Sequence, residues 1–315
     1  MTKLLLNTLI PIFAGLALGY LAGRRGTMDN RNVRNLIVLV MNFAIPCALF
    51  STIIQSSRAD LLRHIPGAVM ITLVFGALYL AIYIWARRWL RMSLSDASVL
   101  ALTTSFPNCA AIALPLLGGV YGHESAVTAA LSLAIGSITI SPVTLMLLEA
   151  DKRSAGYGLS AMQILRGFSH ALLRPVIWLP LLALVGVFFD IHPPSIVEGI
   201  FTTLGSAATG SALILTGLVV SSQSFRFTGS VAISIFLKLI AQPVFALCMM
   251  LLFRMDHRDL RDITVLSAIP GGFFGLVFGK GFDETSEIAS SGWIGTYLIG
   301  WATLALWMVF AAKFL

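Results

Sequence analysis

The sequence predicts an all-α polytopic membrane protein with ten transmembrane helices, arranged as two inverted five-helix repeats whose fourth and ninth helices are broken and crossed. Three observations support this fold class: an extreme composition, ten long apolar runs, and two matching Pro/Gly interruptions. Of 315 residues, 57% are hydrophobic and only 11% are charged, with a mean hydropathy of +0.90. Soluble domains carry roughly a quarter charged residues. We therefore expect a lipid bilayer to surround most of the surface.

The apolar runs are each long enough to span a bilayer, whose hydrocarbon core needs about 20 helical residues. We place them at 4–23, 34–55, 65–86, 97–121, 125–149, 172–190, 196–222, 227–253, 259–282 and 289–313. The first run is longer than the ~7–15 apolar residues of a cleaved signal peptide, which indicates a retained span. A polar segment at 151–171 divides the chain into a first repeat, 1–150, and a second repeat, 172–315.

The distribution of Lys and Arg predicts the orientation. Basic residues are concentrated after the first run, after the third run and in the 151–171 loop. The positive-inside rule then places both termini outside and the connecting loop in the cytoplasm of a cell inner membrane. Since five crossings reverse the direction of the chain, related halves would form an inverted repeat, a common transporter architecture.

A helix-breaking segment interrupts the fourth run of each repeat. The breaks are predicted at Pro107 and Pro115 in the first repeat and at Pro270 and Gly275 in the second. Proline removes a backbone donor and glycine weakens a helix. Freed backbone groups must face protein or a watery cavity, so a matched pair of breaks predicts a binding site near the midplane. Half-helix N-termini there would favour an anion. A lone proline would equally suit a simple kink.

The predicted substrate-binding residues are Asn108, Pro115, Lys238, Gly271, Gly272 and Gly275. The Asn108 amide can donate and accept hydrogen bonds beside the first break, although such an amide can also join helices. Lys238 is the one charge deep within a run, about 16 Å from its start at roughly 1.5 Å per residue. Intramembrane cations usually serve a substrate pathway, and a structural pairing with backbone carbonyls is the alternative.

Several classes of function are disfavoured. The three cysteines have no CxxC spacing and are expected to be buried thiols, and the five histidines fall in or beside loops, where we expect them to be solvated. We therefore predict no metal, no cofactor and no enzymatic activity. No Asp or Glu lies in the middle of a run, so the buried carboxylate of a sodium or proton relay is not expected. The net charge of +7 follows loop positions rather than a basic arm, which argues against nucleic-acid binding.

The motifs resemble those of the auxin efflux carrier family over nearly the whole chain. They comprise Asn42-Phe43-Ala44-Ile45-Pro46 with Leu49-Phe50, Pro107-Asn108 through Pro115-Leu116-Leu117, Thr144-Leu145-Met146 to Glu149, Thr216-Gly217, Lys238 with Pro243, and Pro270-Gly271-Gly272-Phe273-Phe274-Gly275. The last segment, continued to Gly279, is most similar to the bacterial malonate carriers of the family.

This resemblance implies a scaffold domain that forms a homodimer, a mobile crossover domain and alternating access of the elevator type. The family's crossover prolines correspond to Pro115 and, in the plant exporters, to the position of Gly275. Lys238 stands where plant members carry a basic residue, which implies an anionic substrate.

The predicted function is secondary transport of a small organic anion, with a dicarboxylate such as malonate as the leading substrate. Asn108 and the backbone around Pro115 and Gly275 would bind the carboxylate, and Lys238 would balance its charge. Two alternatives stay open: an exporter of aromatic, auxin-like weak acids, and a channel or membrane sensor. Neither the driving force nor the direction of transport follows from the sequence.

Overall fold

The computed structural model describes residues 2–153, 174–191, 193–272 and 286–315. In these ranges the chain is helical apart from short connections. The helices are α1 Thr2–Arg24, α2 Arg34–Ile54, α3 Arg58–Arg63, α4 Ile65–Arg88, α5 Leu94–Ser105, α6 Cys109–Tyr121, α7 His123–Ile138, α8 Ile140–Arg153, α9 Pro175–Phe188, α10 Ser195–Ser222, α11 Gly229–Leu252, α12 His257–Ala268 and α13 Glu287–Phe314.

Six spans among the described residues are long and apolar enough to cross a membrane: α2, α4, α7 with the start of α8, α10, α11 and α13. Two shorter apolar helices, α6 and α9, accompany them. For the described residues the all-helical architecture is thereby confirmed, and the apolar spans support a multi-pass membrane protein. The count of ten helices and their inverted repeat stay predictions. The larger part of the connecting loop, 154–171, and Gly275 with the rest of 273–285 lie outside the described residues.

Three helices contain a π-helical segment, and each segment ends directly before an Xaa-Pro pair. The segments are Leu39–Ala44 in α2, Cys109–Ala113 at the start of α6 and Leu237–Ala241 in α11, and the prolines are Pro46, Pro115 and Pro243. Proline has no N–H and its ring collides with the carbonyl four residues earlier. A π bulge widens the preceding turn, so the helix continues through the proline instead of ending there.

The described helices form two compact units by their contacts. The first unit comprises Met1–Ala68, Cys109–Ala134 and Leu173–Ser222. Within it α1 packs along α10, and α10 and α9 both pack on the second half of α2. Helices α1 and α10 approach each other very closely. A Cβ added at Gly217 would overlap the carbonyl oxygen of Leu16. Small residues permit such backbone contact between membrane helices.

One histidine of the first unit departs from the expectation of solvation. His64 is only 4% exposed, and its ring joins two backbone carbonyls: Nδ1 lies 2.7 Å from the oxygen of Asp60, and Nε2 lies 3.2 Å from the oxygen of Glu124. The expectation was wrong because a histidine beside a loop can satisfy both ring nitrogens with nearby helix ends. The burial expected of the cysteines holds for Cys47 and Cys109, whereas Cys248 is exposed.

The second unit comprises Val69–Asn108, Ile135–Leu172 and Gln223–Leu315. In it α13 is the central helix and contacts α5, α11 and α12, while α5 also packs on α8 and α12 on α11. Both broken helices described here, α5 and α12, therefore meet α13. Each unit takes segments from both predicted repeats.

Candidate functional site

The two breaks meet as a short antiparallel backbone pairing inside the second unit. Helix α5 ends at Ser105 and α12 at Ala268, and the residue after each helix end is extended, with ψ of 121° at Phe106 and 139° at Ile269. A proline follows each extended residue, and proline disfavours the α conformation of its predecessor. The sequence therefore ends both helices at corresponding places.

Backbone hydrogen bonds hold the two extended segments together. The Asn108 N–H donates to the Pro270 carbonyl at 2.9 Å, and the Gly272 N–H donates to the Phe106 carbonyl at 2.7 Å. Pro107 and Gly271 face each other across this pairing. All of these residues are buried. Buried backbone groups in a membrane need protein partners, and here each break supplies partners for the other.

Side chains of α13 form hydrogen bonds with both backbone polar groups of Gly271, its carbonyl oxygen and its N–H. Its carbonyl oxygen accepts hydrogen bonds from Trp293 Nε1 and from the Tyr297 hydroxyl, each at 2.8 Å, and its N–H donates to Thr296 Oγ1 at 3.2 Å. A Cβ at this position would overlap the carbonyl oxygen of Thr103 in α5. Glycine is therefore required here by the close approach of α5 and not by an unusual φ.

Asn108 is fully buried and belongs to the same cluster. Its Nδ2 donates to the Tyr297 hydroxyl at 2.8 Å. Tyr297 consequently touches both breaks: Asn108 after the first and Gly271 after the second. We call Asn108, Gly271, Trp293, Thr296 and Tyr297 the break cluster.

Lys238 is also fully buried, in the π segment of α11. Its Nζ donates to Gln242 Oε1 at 2.7 Å, and Gln242 Nε2 donates to the Ser105 carbonyl at 2.7 Å. Ser105 is the last residue of α5, where the helix dipole places partial negative charge. Lys238 is therefore linked to the end of the broken helix α5 through the neutral side-chain amide of Gln242.

Three hydroxyls near these helix ends have no hydrogen-bond partner within the described part of the chain. They are Ser105 Oγ, Thr264 Oγ1 and Ser267 Oγ, and all three residues are completely buried. Ser105 ends α5, and Ser267 is the penultimate residue of α12. Buried polar atoms ordinarily have a partner, so these hydroxyls give the ends of both broken helices additional hydrogen-bonding capacity.

A buried carboxylate corrects one expectation. Asp262 in α12 is 0% exposed. Its Oδ1 accepts a hydrogen bond from Arg261 Nε at 2.9 Å and forms an ion pair with Arg261 Nη2 at 2.9 Å. The sequence pattern missed it because the charged start of α12 looks like a loop. The helix is nevertheless buried from its first turn onward, since Asp259 is only 5% exposed.

The remaining predicted residues have different positions. Pro107, Pro270, Gly271 and Gly272 lie in the paired breaks. Pro115 is half-buried at the start of the α-helical part of α6 and belongs to the first unit. Gly275 lies outside the described residues. Within the described residues, no three His, Cys, Asp or Glu side chains group as metal ligands would.

Sequence reasoning missed Gln242, Trp293, Thr296 and Tyr297 as members of the site. Gln242 follows Lys238 by one helical turn, and that spacing was an available signal. Trp293 and Tyr297 are likewise four residues apart, an aromatic pair with a ring-centroid distance of 5.0 Å. Aromatic residues four positions apart are common in apolar helices, so the spacing alone did not identify Trp293 and Tyr297 as members of the site.

Comparison with known proteins agrees with this architecture. The family model described as "Membrane transport protein" matches residues 4–308. The protein named "Uncharacterized transporter YfdV" of Escherichia coli (strain K12) is 25% identical over 311 residues, covering 98% of both chains. An "Uncharacterized transporter" of Methanothermobacter thermautotrophicus is 26% identical over 313 residues, covering 96% of this chain and 97% of the relative.

A membrane protein with paired broken helices and a buried cation has the features of a transporter. The chain belongs to the membrane transport protein family, since the match extends over nearly its whole length. The resemblance to the auxin efflux carriers is confirmed at the level of the family.

Proposed function

We propose that this chain is a secondary transporter of a small organic anion, with a dicarboxylate such as malonate as the leading substrate. The observation that carries the proposal is the contact path from Lys238 through Gln242 to the Ser105 carbonyl. It brings a formal positive charge to the end of a helix broken within the membrane. Intramembrane cations commonly mark a substrate pathway, and a positive charge at such a place suits an anionic substrate.

The break cluster supplies the rest of the proposed site. In transporters with discontinuous helices, substrate groups bind where the helices are unwound. Asn108 would contact a carboxylate, and Lys238 would balance its charge from the neighbouring turn. Gly271 and Gly272 would line the site, since their N–H groups already donate to Thr296 and Phe106. Pro115 and Gly275 would complete the crossover as the resemblance implies.

Alternating access of the elevator type is part of the proposal. It is supported by the composition of the two units: the first contains the first two predicted runs of each repeat, and the second contains the third run of each repeat. The correspondence is partial, because Cys109–Ala134 of the fourth and fifth runs belongs to the first unit, whereas the fourth and fifth runs of the second repeat belong to the second unit. Pairing of corresponding segments is what ten helices in two inverted repeats would produce. The first unit would be the dimerising scaffold and the second the mobile domain.

We place the protein in the inner membrane with both termini outside. A phosphatase reporter that folds only outside the cytoplasm, fused after Leu315, would be active in this orientation. Activity of a cytoplasmic reporter at the same position would reverse it.

The test is uptake of labelled malonate into proteoliposomes. Saturable uptake and counterflow are expected for the wild type, whereas a channel shows neither. Asn108→Ala and Lys238→Ala should abolish saturable uptake, and Lys238→Met would separate loss of charge from loss of volume. Lys313→Ala, which removes a charge near the end of α13, is the matched control and should transport normally. No uptake by a well-folded wild type would eliminate malonate as the substrate.

One observation favours a second candidate, transport of an aromatic weak acid. Trp293 and Tyr297 put two buried rings beside the breaks, with an interplanar angle of 65°. Offset and edge-to-face ring contacts contribute about 0.5–1.5 kcal/mol each. Competition of labelled uptake by aryl acetates would identify this class, and competition by short dicarboxylates alone would exclude it.

A further inference from the structure

The second unit contains an apolar groove between α11 and α13, further along α13 than the break cluster. Its volume is about 300 Å³, at the lower end of the range of ligand sites, which is roughly 300–1,000 Å³. The lining residues of α13 recur at intervals of three and four, so they form one face of the helix. The groove is lined by Ile240, Leu247, Thr303, Leu306, Trp307 and Phe310.

The lining of this groove offers an occupant almost nothing but hydrocarbon. Two of the lining side chains carry a polar group, and both donate their proton to a backbone carbonyl. Thr303 Oγ1 donates to Gly300 at 3.3 Å, and Trp307 Nε1 donates to Leu239 at 3.0 Å. A polar substrate would lose its hydrogen bonds to water here and find no donor in exchange. The part of a ligand that lies in the groove should therefore be an apolar chain.

Helices α11 and α13 run parallel along the groove. Ser234 lies against Gly292 near the start of both helices, and Leu247 and Phe310 line the groove further along them. Both helices therefore end on the same side of the membrane. The lining extends over about two turns of each helix, or about 10 Å at roughly 1.5 Å per residue. This length fits within one leaflet, which is half of a hydrocarbon core about 30 Å thick.

Two cations lie at the end of the groove where both helices end. Arg254 is two residues beyond α11, Lys313 is the penultimate residue of α13, and both are exposed. The Phe310 ring lies 5.7 Å from the Trp307 ring and 5.2 Å from the Phe314 ring. Lys313 Nζ lies 5.3 Å from the centre of the Phe314 ring. A continuous row of aromatic rings therefore leads from the groove to a cation, as is typical of the membrane–water interface.

We propose that this groove binds an anionic phospholipid, with one acyl chain against α11 and α13 and the phosphodiester near Arg254 and Lys313. Within the described residues neither cation forms an ion pair. The carboxylate of the neighbouring Asp256 accepts a hydrogen bond from the Asp259 N–H as the N-cap of α12. The charge at this end of the groove therefore suits a phosphate. The lipid is a structural ligand of the second unit, and this inference does not rest on the proposed substrate.

The first test titrates the purified full chain in detergent with phosphatidylglycerol or with zwitterionic phosphatidylethanolamine, and native mass spectrometry measures the bound lipid. We expect the wild type to prefer phosphatidylglycerol. Arg254→Gln should weaken its binding about fivefold, the effect of one cation near an anionic lipid. Arg88→Gln, which changes an exposed arginine at the end of α4, is the matched control and should bind as the wild type does. Equal affinities for the two lipids, or equal effects of the two variants, would overturn the proposal.

The second test fills the groove. Leu306→Trp should abolish binding of phosphatidylglycerol, because the larger side chain takes the place of the acyl chain. Leu298→Trp changes another exposed leucine of the same helix outside the groove and should have no effect. If a second copy of the chain covered the groove, Leu306→Trp would change the oligomeric state and leave lipid binding unchanged, and the proposal would be wrong.

A fluorescence test keeps the cations in place. Brominated acyl chains quench tryptophan on contact, and the difference between the wild type and Trp307→Phe isolates the emission of Trp307. We expect brominated phosphatidylglycerol to quench this emission more strongly than brominated phosphatidylethanolamine at equal mole fraction. Trp301, 58% exposed on the same helix, should show no such preference in the matching comparison with Trp301→Phe. Equal quenching of Trp307 by the two lipids would contradict the proposal, whether or not malonate is transported.

Discussion

The indole Nε1 of Trp307 donates a hydrogen bond to the carbonyl oxygen of Leu239 at 3.0 Å. Leu239 lies four residues before Pro243, which has no N–H with which to bond that carbonyl. An aromatic side chain of α13 therefore provides the donor that the proline of α11 lacks. This contact shows how a proline is accommodated within an apolar helix.

Trp307→Phe should destabilise the second unit. The change keeps most of the aromatic surface but leaves the Leu239 carbonyl without its indole donor, at a cost of about 1–3 kcal/mol for a buried group. We expect a lower melting temperature in detergent. Trp301→Phe, on the same helix at a position 58% exposed, is the control. Equal losses in the two variants would mean that ring size, and not the hydrogen bond, matters.

Gly217→Ala should destabilise the first unit, because the new Cβ would meet the Leu16 carbonyl and force α1 away from α10. We expect a loss of about 1–3 kcal/mol, the usual cost of overpacking. Gly199→Ala on the same helix has open space around it and should be neutral or stabilising by up to about 1 kcal/mol. Thermal unfolding of both variants measures the difference, and a tolerated Gly217→Ala would contradict the close helix contact.

His64→Phe should lower stability because it removes the ring hydrogen bonding of a buried histidine. Both neighbours are carbonyl oxygens, which only accept, so the hydrogen bond is made by a ring nitrogen that carries a proton. We expect a loss of about 1–3 kcal/mol, seen as a lower melting temperature. His123→Phe changes an exposed histidine at the start of α7 and should have little effect.

Ser57→Ala should raise the pKa of Asp60. The Ser57 hydroxyl hydrogen bond is the main reason that the pKa of this carboxyl lies below its ordinary value, with Arg63 a weaker contributor. Because the pKa is lowered in the folded state, the stabilisation of α3 is present above the ordinary carboxyl pKa and is lost as the pH falls through the lowered value. A carboxyl ¹³C titration should show a larger upward shift for Ser57→Ala than for Arg63→Ala. The reverse order would contradict the capping geometry.

The sequence predicted the parts of the molecule that depend on local chemistry. Apolar runs, the prolines that end α5 and α12, Asn108 and the buried Lys238 all follow from residue type and position along the chain. The membrane makes these signals strong, because an unpaired backbone group or charge within it is so costly.

What the sequence could not predict depends on partners that are remote in the chain. Asn108 and Tyr297 are 189 residues apart, and Gln242 and Ser105 are 137 apart. The hydrophobic periodicity of a sequence does not indicate which distant residues form such pairs. The same reason explains Asp262 and His64: their burial depends on which helices cover them, and a charged or loop-like neighbourhood suggested the opposite.

The pairing of Pro107 with Gly271 has a consequence for how freely this sequence can diverge. Main-chain atoms make both hydrogen bonds of the joint between the two breaks, so these bonds do not depend on which side chains flank them. Mutational scanning should accordingly find apolar replacements tolerated at the buried Phe106 and Ile269, and almost none at Gly271, where any side chain collides with Thr103. Sequence change around the joint is therefore limited by packing, and only at Gly271 by the main chain itself.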